Sequence, residues 1–243
     1  MKRAKARVDQ LLVDRGLVES REKAQALILA GEVLVNGQKA DKPGRTVPAD
    51  ALIELTGRLP YVSRGGFKLA AALDAFAVNP TGKVAIDIGT STGGFTDCLL
   101  QRGAVRVHAV DTGAGQIDWK LRTDLRVILH ENCNARYLTF AEIGEPADLI
   151  VCDVSFISVT LLLPRFPDLL KPDGEFIVLI KPQFEVGRQY VGKGGIVRDA
   201  ALHAASCAKV REASESLGYR TQIVPSPILG TEGNQEFLLH ACH

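Results

Sequence analysis

The sequence predicts an α/β protein whose doubly wound sheet ends in an antiparallel hairpin and is preceded by a small α+β unit. After residue 60, strands and helices alternate regularly, which is typical of a parallel sheet covered on both faces. Near the carboxyl terminus, two strands follow one another with no room for a helix between them, so they should pair antiparallel. Residues 1–60 instead contain two short helices and a hairpin signal.

Composition narrows the class of protein. A chain of 243 residues can hold one large and one small domain, and its 46% apolar content is ordinary for a globular protein. The five cysteines and five histidines are dispersed without metal-ligand spacing, so no metal site and a reduced, cytoplasmic setting are predicted. No apolar run approaches the roughly 18 residues of a membrane span.

The charge is unevenly distributed along the chain. Residues 1–60 carry 11 Lys/Arg against 8 Asp/Glu, whereas residues 61–243 carry 18 against 20. Seven of the basic residues fall within the first 23. This asymmetry favours a small nucleic-acid-contacting domain, 1–60, joined to a catalytic domain, 61–243, although a solvated charged face would give the same pattern.

In residues 1–60, the sequence predicts a helix over 8–15 and a second helix from an N-cap at Ser20 to residue 30. It also predicts a hairpin that turns at Asn36-Gly37. The stretch "RVDQLLVDRGLVESREKAQALILAGEVLVNGQKA" resembles the S4 RNA-binding module. That resemblance implies contact with RNA phosphates and shape through the two helices. The predicted RNA contacts are Arg7, Arg21, Lys23 and Arg64.

In residues 61–243, the sequence predicts five strands followed by a hairpin. The strands lie at 83–89, 105–111, 126–131, 148–155 and 174–181, and the hairpin lies within 219–242. The turn after the first strand reads "DIGTSTGG" rather than GxGxxG, with Asp87 inside the strand. This turn and the terminal hairpin favour a Rossmann-like class I methyltransferase over a dehydrogenase.

The turn and the second strand end predict a binding site for S-adenosylmethionine. The glycines would let the backbone approach the ligand, and carboxylates suit its ammonium, sulfonium and ribose diol. Asp111 would accept hydrogen bonds from the ribose, although it could instead cap a helix ahead of Thr112. The predicted cofactor contacts are Asp87, Gly89, Ser91, Thr92, Gly93, Gly94, Phe95, Asp111, Asn134 and Asp153.

Four charged residues should converge at the carboxyl edge of the sheet. Lys68 lies in a helix before the first strand, Asp153 and Lys181 end the fourth and fifth strands, and Glu236 begins the last. The order Lys–Asp–Lys–Glu resembles the catalytic tetrad of FtsJ-like 2′-O-ribose methyltransferases, with a coincidental cluster of salt bridges as the alternative. In the predicted mechanism, Lys181 is the base, Lys68 orients the hydroxyl, and the two acids hold the lysines. Proton loss to water is the other possibility.

The motifs "SRGGFKL", "DIGTSTGGFTD", "DVSFIS", "IKPQFEVG" and "GGIVRD", together with the S4-like stretch, resemble the TlyA family, whose members are often labelled haemolysins. The resemblance implies an S-adenosylmethionine-dependent methyltransferase that makes 2′-O-methylcytidine in ribosomal RNA. The chain ends just after its last strand, as in short family members, which implies the large-subunit RNA. Two alternatives remain: an S4-type RNA-binding protein with a non-catalytic methyltransferase fold, and a haemolysin-like membrane-active protein.

Overall fold

The computed structural model describes residues 5–18, 20–56, 60–230 and 233–243. The chain folds as two compact units, Met1–Arg64 and Gly65–His243. The structure thus divides the chain after Arg64, whereas the sequence placed the boundary after residue 60. Residues 57–59 beside that boundary, and Lys2 and Arg3 of the early basic group, lie outside the described residues.

The first unit packs two helices beside short strands. Its elements are β1 (Lys5–Arg7), α1 (Val8–Asp14), α2 (Arg21–Leu29), β2 (Val33–Val35), β3 (Gln38–Lys39), β4 (Thr46–Pro48) and β5 (Ile53–Leu55). The hydroxyl of Ser20 accepts a hydrogen bond from the amide of Lys23 at 3.2 Å and caps α2. Asn36 and Gly37 have φ angles of 50° and 75°, which a two-residue hairpin turn requires. The predicted helices and hairpin are confirmed.

The second unit is a sheet flanked by helices. Its strands are β6 (Val84–Ile88), β7 (Arg106–Val110), β8 (Val127–His130), β9 (Ala147–Cys152), β10 (Leu170–Ile180), β11 (Arg220–Pro225) and β12 (Phe237–Cys242). Its α-helices are α3 (Gly65–Ala75), α4 (Gly94–Gln101), α5 (Trp119–Arg122), α6 (Phe140–Ile143), α7 (Phe166–Leu169), α8 (Pro182–Glu185) and α9 (Ala200–Glu215). Within the described ranges, no helix combines the length and apolar character that a membrane crossing requires.

The seven strands have the order β11-β12-β10-β9-β6-β7-β8. Strand β12 runs antiparallel to both of its neighbours, and the other pairs are parallel. The predicted α/β fold and terminal hairpin are therefore confirmed. Strand β10 begins at Leu170, earlier than predicted, because Leu170 pairs with Ala147 ahead of a register shift.

The central strands are apolar on both faces because helices cover both. Ile86, Ile150, Phe176 and Val178 are fully buried. The residues that follow the parallel strands consequently leave the core at one edge of the sheet, where a doubly wound fold binds its ligands.

Candidate active site

The register of the sheet brings the predicted charged residues to this edge. Ile180 pairs with Phe237 across β10 and β12, so Lys181 and Glu236 occupy the neighbouring positions just beyond that pair. Asp153 directly follows β9, which is the other neighbour of β10. Three residues that are distant in sequence are thereby fixed by hydrogen bonding between strands.

Lys181 is held by two groups from the loop after β9. Its Nζ lies 2.6 Å from Oδ1 of Asp153 and donates a hydrogen bond to Oγ of Ser155 at 2.8 Å. The side chains of Lys181 and Asp153 are 12% and 21% exposed, so the pair stands at the surface of the cleft rather than beneath it.

Lys68 forms a second, deeper ion pair. Its Nζ donates to Oε2 of Glu236 at 2.6 Å, and the two side chains are 10% and 3% exposed. The pair ties α3 to the start of β12 across 168 positions of sequence. The predicted tetrad is therefore two lysine–carboxylate pairs, in which each ammonium faces its own acid.

A cavity of about 540 Å³ opens at the same edge. Five of the predicted cofactor contacts line it: Gly89, Ser91, Asp111, Asn134 and Asp153. The other five, Asp87, Thr92, Gly93, Gly94 and Phe95, do not line it. Of these five, Thr92 is exposed and the other four are buried.

The glycines of the turn accommodate the protein's own atoms. A Cβ at Gly89 would lie 2.4 Å from the backbone oxygen of Asp153, and one at Gly93 would lie 2.3 Å from Cδ1 of Leu121. Both glycines also have positive φ, at 84° and 94°. The sequence had assigned these glycines to the approach of a ligand, whereas the structure shows that internal packing already requires them.

Asp111 organises the rim of the cavity. Its two carboxylate oxygens accept hydrogen bonds from the backbone amides of Ser91 and Gly113, each at 2.7 Å. Helix α5 begins only at Trp119 and is capped by Asp118, so Asp111 does not cap a helix. Its carboxylate joins the turn after β6 to the loop after β7.

Asp87 is a buried acid with an unused oxygen. Its Oδ2 accepts a hydrogen bond from the hydroxyl of Thr96 at 2.6 Å, whereas its Oδ1 bonds to no described residue. Burial raises the pKa of Asp87 to about 7; the bond from Thr96 opposes the rise, and the carboxylates of Asp153 and Asp111 add to it. Three carboxylates close together favour a positively charged ligand.

A second cavity, of about 370 Å³, adjoins the first. Lys181 and Glu236 line it, and Ser155 and Phe156 line both cavities. Phe156 has a φ of 67°, which is rare for a bulky residue, and its side chain is 92% exposed. Its ring centroid lies 5.3 Å from that of Phe184. The lysine–carboxylate pairs therefore lie at the junction of two cavities marked by an exposed aromatic ring.

Sequence reasoning gave no role to three residues at or near this junction. Glu185 is buried and accepts hydrogen bonds from the amide of Val159 at 2.8 Å and from Nζ of Lys209 at 3.0 Å, which fixes α8. Ser155 and Phe156 were within the quoted "DVSFIS" but were given no role. Only their position after a strand end could have indicated one.

In the first unit, two of the predicted RNA contacts share one buried acid. Arg7 donates to both oxygens of Asp9, at 2.9 and 2.8 Å, and Arg21 donates to Oδ2 at 3.2 Å. Burial opposes the ionisation of Asp9, but the hydrogen bonds from Arg7, Gln25 and Arg21 outweigh it and hold the pKa of Asp9 well below its usual range. The arginine side chains remain 50% and 46% exposed.

The other two predicted RNA contacts lie elsewhere in this unit. Lys23 is exposed in the first turn of α2, and Arg64 is partly exposed at the end of the unit. All four assignments remain predictions.

Two family models match the chain: S4 domain over residues 6–53 and FtsJ-like methyltransferase over residues 61–242. The 16S/23S rRNA (cytidine-2′-O)-methyltransferase TlyA of Mycobacterium tuberculosis is 45% identical over 238 residues, covering 97% of this chain and 89% of the relative. The 23S rRNA (cytidine-2′-O)-methyltransferase TlyA of Campylobacter jejuni is 35% identical over 249 residues, covering 94% and 96%.

A solved structure from Streptococcus thermophilus that carries the name hemolysin is 43% identical. It has a TM-score of 0.75 and covers 98% of this chain and 88% of its own. The matches define the class of protein: an S4 domain followed by an FtsJ-like methyltransferase, which is an enzyme. The relatives make the assignment narrower, and the chain belongs to the TlyA family.

Proposed function

We propose that this protein is an S-adenosylmethionine-dependent methyltransferase that modifies the 2′-hydroxyl of cytidine in large-subunit ribosomal RNA. The observation that carries the proposal is the pair of lysine–carboxylate contacts, Lys181–Asp153 and Lys68–Glu236, at the junction of two cavities. One cavity would hold the cofactor and the other the target nucleotide.

The residues of the larger cavity fit the cofactor. Asp111 would contact the ribose hydroxyls, and Asp153, with Asp87 behind the wall, supplies negative charge for the sulfonium and ammonium groups. Asp87 does not reach the cavity, but its carboxyl interacts electrostatically with Asp153 and Asp111, which line it, and this group of acids supports a cationic ligand. When bound, S-adenosylmethionine supplies the methyl group.

The lysines act on the ribose hydroxyl. That group is a weak acid and must lose its proton as it attacks, so a nearby base or a strong orienting donor is needed. Lys181, exposed to the smaller cavity, is assigned to this task, and Lys68 is held by Glu236 behind it. Oδ1 of Asp153 lies 2.6 Å from Nζ of Lys181 and holds this ammonium in place, which supports orientation of the hydroxyl with proton release to water alongside the role of base.

Phe156 supports a nucleotide as the substrate. An exposed aromatic ring between the two cavities offers a face on which an unstacked base can lie, as is common in proteins that recognise single-stranded RNA. Its strained backbone is the kind of feature that accumulates at functional sites.

Ribosomal RNA is proposed because the two relatives above are both named for it. Both names include the cytidine 2′-hydroxyl and 23S RNA, which is the large-subunit RNA. The S4 unit would add affinity through Arg7, Arg21, Lys23 and Arg64, since phosphate contacts fix an RNA without reading its sequence.

Transfer of a labelled methyl group to purified large subunits, followed by mass mapping of the RNA, tests the proposal. One 2′-O-methylcytidine is expected in 23S RNA, and methylation of a base would contradict the assignment.

Isothermal titration tests the cofactor. Asp111→Ala should weaken the binding of S-adenosylmethionine by about tenfold or more, because two charge-assisted hydrogen bonds to Asp111 organise the rim of the cavity. Asp118→Ala, which alters only the cap of α5, is the control.

A further inference from the structure

The segment 186–198, between α8 and α9, has a charge unlike that of the rest of the catalytic unit. It carries Arg188, Lys193 and Arg198 and no acidic residue, and Asp199, the N-cap of α9, directly follows it. Residues 61–243 as a whole hold 18 Lys/Arg against 20 Asp/Glu. All three basic side chains are exposed. Tyr190, 54% exposed, lies between them in sequence. A local excess of positive charge on a neutral domain is typical of a surface that meets an anionic partner.

Among the described residues, the three cations are also without carboxylate partners, unlike most cations of this unit. None of them forms an ion pair with a residue in the described part of the chain. Elsewhere in the unit, four cations likewise form no ion pair with a described side chain: Arg136, Arg165, Arg211 and Arg220. Eight cations outside the candidate active site do pair with carboxylates: Lys83, Arg102, Arg106, Lys120, Arg122, Arg126, Lys171 and Lys209. The charges of the segment are therefore available to a ligand.

The backbone that carries these charges is fixed. Asn234 is fully buried; its Oδ1 accepts from the amide of Val197 and its Nδ2 donates to the carbonyl of Gly195, both at 2.9 Å. The amide of Gly192 also donates to the carbonyl of Ile196 at 3.1 Å. Asn234 lies two residues before Glu236, so one short stretch of chain holds both the basic segment and a member of the candidate active site.

The segment borders the smaller cavity. Val191 and Gly195 line that cavity together with Lys181 and Glu236. We propose that segment 186–198 is a second RNA-binding surface, which contacts the phosphates on either side of the target nucleotide and is positioned by Asn234. The inference rests on the proposed function and adds to it a phosphate contact made by the catalytic unit itself.

The test uses the full chain and measures methyl transfer to 23S RNA together with RNA binding at several salt concentrations. The double variant Arg188→Gln/Lys193→Gln should raise KM for RNA by about tenfold with little change in kcat. Its binding should depend less on salt, with a slope lower by roughly 0.7 for each lost contact to a single strand. Asn234→Ala should raise KM in the same direction, because the segment loses its anchor.

Arg211→Gln is the matched control, since Arg211 is exposed near the far end of α9 and should leave KM unchanged. Unchanged cofactor affinity in the double variant shows that it is folded. If its KM and salt slope equal those of the wild type, the inference is wrong and an acidic protein is the better partner for this surface. If the wild type itself methylates no ribosomal RNA, the proposed function fails, and RNA binding alone then decides the inference.

Discussion

Asp9 in the first unit and Asp87 in the catalytic unit are both fully buried aspartates, and their surroundings act on them in opposite directions. Asp9 accepts hydrogen bonds from two guanidinium groups and a glutamine, which keep its pKa low despite burial. Asp87 has one hydroxyl donor and two nearby carboxylates, and its pKa rises to about 7. The first acid has its cations built into the fold, and the second does not.

The cations of the two units differ in how far their side chains are exposed. The arginines on Asp9 are about half exposed, whereas Lys68 and Lys181 of the candidate active site have only 10% and 12% of their side chains exposed. An arginine always keeps its charge and can hold a carboxylate while it also faces a phosphate. A lysine can transfer a proton, and it is the residue placed at the cavities. Asp9 thus orders two exposed cations in the first unit, whereas the positive charge near Asp87 would come from the proposed cofactor.

The largest effect on activity is expected from removal of Lys181. Asp153 would then have no paired cation and would resemble Asp87 in this respect. Lys181→Ala should lower kcat by about 10²- to 10⁴-fold, the usual contribution of a general acid or base, with cofactor affinity retained. Lys181→Arg should also fail as a base, because a guanidinium does not release its proton. Single-turnover methyl transfer to RNA measures both.

Lys171→Ala is the control for Lys181. It removes a lysine that forms a 2.6 Å pair with Asp148 at the opposite, amino-terminal edge of the same sheet. Its activity should equal that of the wild type. Substantial activity in Lys181→Arg would mean that Lys181 acts as an orienting cation. The lysines at the cavities and the arginines on Asp9 would then differ in position and not in their ability to transfer a proton.

Asp87→Asn should change how stability depends on pH. The folded pKa lies above the ordinary value of 3.8, so the folded protein binds this proton more tightly than the unfolded chain. The stability that the protonated carboxyl of Asp87 contributes is lost as pH rises from about 4 through 7. Urea denaturation should show the wild type losing about 2 to 3 kcal/mol relative to the variant between pH 5 and pH 7. Asp173→Asn, at an exposed aspartate, should behave as the wild type does, and parallel curves for Asp87→Asn would refute the argument.

Asp9→Asn should have a smaller effect, confined to the first unit. The neutral amide keeps one acceptor but loses its charge, so Arg7 and Arg21 are less firmly placed. Unfolding free energy should fall by about 1 to 3 kcal/mol, and KM for RNA should rise several-fold while kcat stays constant. Asp14→Asn, on the exposed side of the same helix, is the control. A change in kcat instead of KM would show that Asp9 acts on the catalytic unit and not on RNA contact.

Local signals were sufficient for most of the secondary structure. Apolar runs predicted β6, β7 and β9, and the Ser20 cap and Asn36-Gly37 turn depend on residues within a few positions of each other. The start of β10 was placed too late, because the turn-like stretch Lys171–Gly174 conceals the pairing of Leu170 with Ala147. Pairing between strands depends on a partner that local sequence does not contain.

By itself, the sequence determined the α/β class and the division into an S4-like part and a methyltransferase-like part. It also determined the edge of the sheet where charged residues collect. These follow from the period of the apolar residues and from the rule that parallel strands end together. Only the tertiary structure decided which lysine pairs with which acid, that Asp9 gathers Arg7 and Arg21, and that Asn234 holds the basic segment. Those contacts join residues as much as 168 positions apart, and their geometry depends on strand register and side-chain packing, which arise only when the whole chain has folded.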